Sequence, residues 1–360
     1  MTEKALDNNL LNGGRLYSLD VMRIIATICI VFHHFQQMYH LQFTSGINYF
    51  YGKFYFGYIV EFFFILSGIL AARNIGSIRK STFVSYVGKR YLRLVPVVAL
   101  SVVVYDLLII AAVHFTGNTS RGTGLSIKNV LISALCLHDG KILTNTGINY
   151  PMWYIGVLIV CFAVLYIVIQ ICSKLNIKPS FGLAAVVLLG LAIRFTGVSL
   201  PLLNEDMSRG YMAFFTGCLL SQVYIRQTEI KKWQSALSLC VTAAVLWIIV
   251  SERYFDLDEI QLVLIFCFYP ALVTLFLSPT MIRLFNHKIL GVAGQITYDV
   301  YVWHDCINLL LFIVVSILGL EVTDSRILMW LFAALCFAVG TLSYYGIERP
   351  LNKLLLKKKL

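Results

Sequence analysis

Arg23 and His34 lie eleven residues apart in RLYSLDVMRIIATICIVFHHFQQMYH (15–40), an otherwise apolar stretch. Eleven residues make about three helical turns, so both side chains leave one face, about 16 Å apart along the axis. Imidazole titrates near neutral pH and can take a proton from a weak nucleophile or attack as a nucleophile itself. Arginine adds a permanent charge in a rigid fork, suited to a developing oxyanion or a phosphate. Asp20 and Thr27 join the same stripe, whereas His33 is turned about 100° away. Two blander readings stand beside this one. Asp20 and Arg23 can simply pair at a membrane surface, and His34 can be a satisfied packing residue.

A membrane bundle is what must position these groups. The chain has 360 residues, 59% hydrophobic and 13% charged, whereas soluble domains sit nearer half apolar and a quarter charged. The polar first fourteen residues and the long apolar run after them read as an uncleaved first span. With about 20 apolar residues per crossing, ten spans are expected: 18–41, 54–73, 94–115, 151–172, 181–198, 209–225, 235–251, 259–278, 293–318 and 326–347. With the N-terminus inside, the inner segments hold 20 Lys and Arg and the outer ones seven. That bias favours cytoplasmic ends on both sides of an even count. The expected fold is therefore an all-α polytopic bundle. It divides into a cytoplasmic tail at 1–14, a transmembrane domain at 15–350 and a basic tail at 351–360. The net charge of +11 then reads as inside-facing charge, and no nucleic-acid partner is expected. Nine scattered cysteines with no CxxC or Cys/His cluster imply neither disulfides nor a metal site.

Five segments carry a resemblance in order along the chain. RLYSLDVMRIIATICIVFHHF (15–35) resembles the first helix of the membrane-bound acyltransferase 3 family, where an arginine and a histidine are separated by ten residues. EFFFILSGIL (61–70) resembles that family's FFxLSG helix, and KRYLRLVP (89–96) its RxxR-type motif. ITYDVYVWHDCIN (296–308) resembles its SYxxYLxH helix, and YGIERPLNK (345–353) its closing E-x-P. PMWYIGVLIV (151–160) departs from the W-S-L-x-x-E of many members, keeping Trp153 without the glutamate. In this it resembles the smaller members without a fused esterase-like domain.

The resemblance implies transfer of an acyl group, usually acetyl, from cytoplasmic acyl-CoA to a hydroxyl of a cell-surface polysaccharide or lipid-linked glycan, in a multi-pass plasma-membrane protein. His34 would then be the base or the acyl carrier, and Arg23 the charge beside the donor. Glu61, at a matching depth on the second span, would orient His34 as a carboxylate partner; the alternative is that it pairs with a basic residue elsewhere. Arg90 and Arg93, three apart at the mouth of the third span, would grip the donor's phosphates. Ser67 fits close helix packing, with a nucleophilic role the lesser reading. Tyr301, His304 and Asn308 share a face of the ninth span and are expected to line the cavity, as is Asp20. Trp153, Trp233 and Trp330 read as interfacial anchors. A rival class is a transporter or flippase that uses the buried Arg and His for ion coupling.

Overall fold

The computed structural model describes residues 14–50, 52, 54–117, 126–138, 148–251, 257–322 and 326–357. Much of the expected 116–150 loop and both chain ends therefore lie outside the described residues. Among those described there is no strand. The only ladder-like feature is an isolated bridge between Leu200 and Leu203.

Fifteen α-helices follow one another among the described residues. α1 runs Tyr17–Tyr39. A 3₁₀ turn, Phe56–Ile59, leads into α2 (Val60–Ala72), followed by short α3 (Ile75–Lys80), long α4 (Phe83–Thr116) and short α5 (Ile127–Ala134). α6 (Trp153–Lys174), α7 (Pro179–Thr196), α8 (Glu205–Tyr224) and α9 (Lys232–Ser251) form the middle of the chain. α10 (Leu257–Val263) continues through a π turn into α11 (Tyr269–Phe276), and α12 (Pro279–Leu284) leads to α13 (Lys288–Ile317). α14 (Arg326–Ser343) continues through a second π turn into α15 (Arg349–Lys357).

Each π turn, Leu264–Phe268 and Tyr344–Glu348, comes just before a proline, Pro270 or Pro350. Proline has no N–H to donate and its ring crowds the carbonyl four residues back, and a widened turn relieves both.

Among the described residues, eight helices are long and apolar enough to cross a membrane. The other two expected spans are present as helices of a different kind. Phe56–Ala72 is shorter than a full crossing, and α8 carries Glu205, Asp206 and Arg209 within its first turns. A hydropathy window penalises α8 for those charges. The fold accommodates Arg209 because α8 is central, packed by α2, α6 and α7, so protein meets that charge, whereas the Glu205 side chain at the start of the helix is 78% exposed. Outward faces show the opposite pattern: Leu239, Trp247 and Val250 of α9 are exposed, as expected where lipid is the solvent.

α2 and α8 approach backbone to backbone. A Cβ added at Gly68 would come 1.9 Å from the Phe214 carbonyl oxygen, and one at Gly217 would come 2.1 Å from that of Ile65. Neither backbone can yield, so Gly68→Ala should cost about 1–3 kcal/mol by overpacking. A fall in the thermal unfolding midpoint in detergent measures it, with Gly76→Ala, which meets nothing nearer than 3.5 Å, unchanged as the control.

α4 starts eleven residues earlier than its apolar core at 94. Thr82 caps it, its hydroxyl accepting from the Ser85 amide at 3.2 Å, which satisfies a first-turn N–H. The early start places Lys89, Arg90 and Arg93 on a continuous helix.

Candidate active site

At one end of the bundle the helices enclose a cavity of about 1510 Å³. The approach to α1 brings Arg15, and α1 itself brings Asp20 and Arg23. The end of α2 contributes Arg73, and α4 contributes Lys89, Arg90 and Arg93. α15 supplies Arg349 and Lys353, and the π turn before it Glu348. Eight guanidinium or ammonium groups thus face two carboxylates, so the cavity is an anion site by composition.

Asp20 is only 2% exposed and holds two of these cations. Arg15 Nε donates to its Oδ2 at 2.6 Å and Arg15 Nη2 to its Oδ1 at 3.1 Å, while Arg23 Nη1 donates to Oδ1 at 3.2 Å. Gly294 of α13 lies against Asp20; a Cβ there would come within 2.6 Å of its side chain. The Asp20–Arg23 pair is real, and Arg23 still lines the cavity, so the two readings of this pair are not exclusive. Ser67 also lines the cavity, its hydroxyl 3.3 Å from that of Tyr154 on α6. Arg90 lies over the Tyr86 ring, 3.6 Å from its centroid, and donates from Nη1 to the Tyr86 carbonyl at 2.8 Å. Arg93 is exposed on the cavity wall.

His34 does not line this cavity. It sits further along α1, with Nδ1 2.9 Å from Gln37 Oε1 and its ring 5.0 Å from those of both His33 and His304. Of the three residues expected to line the cavity from α13, only Tyr301 does so. His304 and Asn308 are fully buried beside α1 instead. The Asn308 amide donates to the His34 carbonyl at 2.9 Å, and His304 Nδ1 donates to the Tyr301 carbonyl at 2.6 Å. Helical phase puts the three on one face, but of them only Tyr301 reaches the cavity, and its hydroxyl donates to the Pro151 carbonyl. Its ring lies 5.6 Å from Tyr154 on the cavity side and 5.6 Å from His304 on the other.

His33 is occupied otherwise. It is buried, its Nδ1 is 2.8 Å from the Tyr49 carbonyl oxygen, and its ring sits 4.9 Å from both Phe50 and Tyr55.

Glu61 does not orient His34. Arg209 Nε donates to Glu61 Oε1 at 2.6 Å and Gln261 Nε2 donates to the same oxygen at 2.6 Å. Arg209 also donates to the Gly57 carbonyl at 3.3 Å and lies over Trp153, 4.5 Å from its ring. Glu61 is 0% exposed, and a carboxylate at that depth requires a charged partner. α8 begins at Glu205, four residues before the expected span at 209, so Arg209 lies inside the helix and not at its edge. Trp153, under that guanidinium and 8% exposed, is packed inside the protein and is no interfacial anchor, whereas Trp233 and Trp330 are exposed.

Comparison with family models decides the class. A model described as an acyltransferase domain, acyltransferase 3, matches residues 16–348. The chain is an acyltransferase 3 family protein. Searches of curated proteins and of solved structures found no match.

As a membrane acyltransferase it moves acyl groups from a donor to an acceptor. Three cavity residues of the acyltransferase had no assigned role in the sequence. Arg15 precedes α1, outside the helical stripe that drew attention to Arg23. Tyr154 adjoins Trp153 in PMWYIG, where an aromatic residue reads as apolar surface. Glu348 belongs to the quoted YGIERPLNK segment, and its proximity to the cavity is tertiary. No cluster of three or more metal-ligating side chains occurs among the described residues.

Proposed function

We propose that the protein transfers an acyl group, acetyl in the simplest case, from acyl-CoA to a hydroxyl of a glycan or lipid-linked sugar. The cationic cavity carries this reading: eight basic side chains against Asp20 and Glu348 suit a polyphosphorylated donor and not a neutral one. Arg90 and Arg93 take the phosphates, and the pantetheine arm reaches inward to Arg23, Ser67 and Tyr154. Arg23 lies along the donor's path as a fixed positive charge, and the arm carries the thioester inward past it towards His34. With its Nδ1 proton donated to Gln37, His34 offers the Nε2 lone pair to the acceptor hydroxyl. The new ester C–O bond forms as the thioester C–S bond breaks. The hydroxyl proton goes to His34 and ends on the CoA thiolate.

The basic end is the cytoplasmic end in this reading, both termini lie there, and the bundle resides in the plasma membrane with ten crossings. Asn176→Cys, at the α6–α7 corner, should label with an impermeant maleimide only after permeabilisation, and Glu321→Cys should label on intact cells. The reverse pattern would invert the orientation.

The assay for the reaction is purified protein, labelled acetyl-CoA and a panel of methyl glycosides and isoprenyl-linked sugars. Acceptor-dependent release of CoA thiol with label on the sugar supports acyl transfer. Uptake of an acceptor without thiol release would leave the transporter reading standing. In the same assay Arg93→Ala should raise the donor KM about tenfold or more, as expected for loss of a charge-assisted phosphate contact. Arg90→Ala should behave similarly, although part of its fork is engaged by the Tyr86 carbonyl. Lys at position 93 restores charge without the planar fork and should recover only part. Arg79, which does not line the cavity, should tolerate Ala. An unchanged KM in both variants would place the donor elsewhere.

A further inference from the structure

Glu348 stands on the wall of the basic cavity, yet among the described residues it makes no ion pair with any of the eight cations there. Its Oε1 accepts from Asn352 Nδ2 at 3.0 Å, and its carboxyl is in side-chain hydrogen-bond contact with that of Asp299 on α13. Glu348 is 5% exposed and Asp299 0%. Trp303 Nε1 donates to Ser343 Oγ at 2.7 Å, and the Ser343 hydroxyl donates to Asp299 Oδ1 at 2.5 Å. The remaining oxygens, Asp299 Oδ2 and Glu348 Oε2, are buried, and no N–H or hydroxyl of the described residues reaches either.

Ionised carboxylates only accept, so a hydrogen bond between these two groups needs a proton on one of them. Two buried like charges in contact also disfavour each other, and no cation sits between them to offset that. With one proton shared, the pair carries a single negative charge and its own hydrogen bond. Without the proton it carries two, and Glu348, at the cavity wall, is the member with cations to turn to. Around it stand Tyr298 of α13, Tyr344 in its own turn, Arg349 and Lys353 of α15, Arg15 ahead of α1 and Arg93 of α4. Arginine, lysine and tyrosine side chains ordinarily keep one charge state between about pH 6.5 and 9, which leaves the carboxyl pair as the part of this wall that titrates.

We propose that Asp299 and Glu348 are a proton-sharing carboxyl pair that links donor binding in the basic cavity to pH. With the proton in place Glu348 stays turned to Asp299, and the cations are open to the donor's phosphates. With the proton gone Glu348 turns to those cations and competes with the donor. Asp299 is a positioning residue, since it acts through Glu348, and neither touches the reacting atoms. The link to the donor rests on the reading of this cavity as the acyl-CoA site, whereas the shared proton rests on the carboxyl contact alone.

The test is calorimetric binding of a thioether analogue of acetyl-CoA, which keeps the phosphates and cannot transfer its acyl group, to purified full-length protein between about pH 6.5 and 9. The parent's Kd should rise about tenfold towards the alkaline end. Asp299→Asn keeps an acceptor for Ser343 and offers Glu348 an N–H in place of the shared proton, so its Kd should not rise. Glu348→Gln has no second charge to release and should not rise either. Titration of the analogue's own phosphate is common to all three proteins and acts in the opposite direction. Infrared spectra of the unliganded parent should show a protonated-carboxyl C=O band that shifts in heavy water and loses intensity in Asp299→Asn. A parent Kd that does not rise, a parent-like rise in either variant, or a band unchanged by Asp299→Asn would each overturn the pair. Should Asp299→Asn fail to fold, the parent and Glu348→Gln curves decide alone. An analogue that binds none of the proteins at any pH would sink the donor reading and the link with it. Tight binding that ignores pH in the parent leaves the donor reading standing and removes only the pair.

Discussion

His34→Ala should abolish acyl transfer, a loss of at least about 100-fold in kcat, while the protein folds and still binds its donor. The magnitude is that of removing a general base from a poor nucleophile. Folding should survive because His34 is only partly buried, and its side-chain bond at 2.9 Å goes to a neighbour on its own helix, Gln37. His33→Ala should give the complementary result. Its ring is held by the Tyr49 carbonyl at 2.8 Å and by Phe50 and Tyr55, so truncation orphans a carbonyl and opens a void. That should cost about 1–3 kcal/mol of stability and leave kcat per folded molecule within about threefold. Thiol-release kinetics and thermal unfolding on the same preparations check both. Equal loss of kcat in the two variants would show that one helix face does not separate chemistry from packing.

Glu61→Ala should be the most damaging substitution to the fold. Arg209, 15% exposed at its side chain, would be left in the interior with its carboxylate gone, and breaking a buried pair by removing one partner costs about 3–5 kcal/mol. Gln261 and the Gly57 carbonyl do not replace that charge. The expected result is little or no monodisperse protein after solubilisation. Arg209→Ala in the same chain should recover much of it, since removing both charges avoids the orphan. Size-exclusion yield and unfolding midpoint across the two singles and the double give the coupling. A Glu61→Ala variant that folds normally yet loses kcat would return Glu61 to the chemistry.

Local spacing made the first helix legible. Asp20 and Arg23 are three residues apart, so their pairing follows from helix geometry, and the Arg23 to His34 interval puts both on one side of α1, although only Arg23 lines the cavity. Phase on α13 likewise grouped Tyr301, His304 and Asn308. That only Tyr301 of the three lines the cavity was not legible, because its surroundings are tertiary: its hydroxyl meets Pro151, 150 residues away. Glu61 failed for the same reason. Its partner stands 148 residues on, in a segment whose charges disguised it as a loop edge. Hydropathy also placed the third span at 94. It registers where lipid begins, whereas α4 extends eleven residues further as a cavity wall.

Supplying donor and acceptor on opposite sides of a membrane tests the two-ended arrangement most directly. Proteoliposomes of fixed orientation would receive labelled acetyl-CoA only at the basic end and a membrane-impermeant glycoside only at the other. The expected result is label on the glycoside, with free CoA confined to the donor side and both lost in His34→Ala. Transfer that occurs only when both reactants share the basic side would contradict it, and would bring the chemistry back into the cationic cavity with His34 outside it.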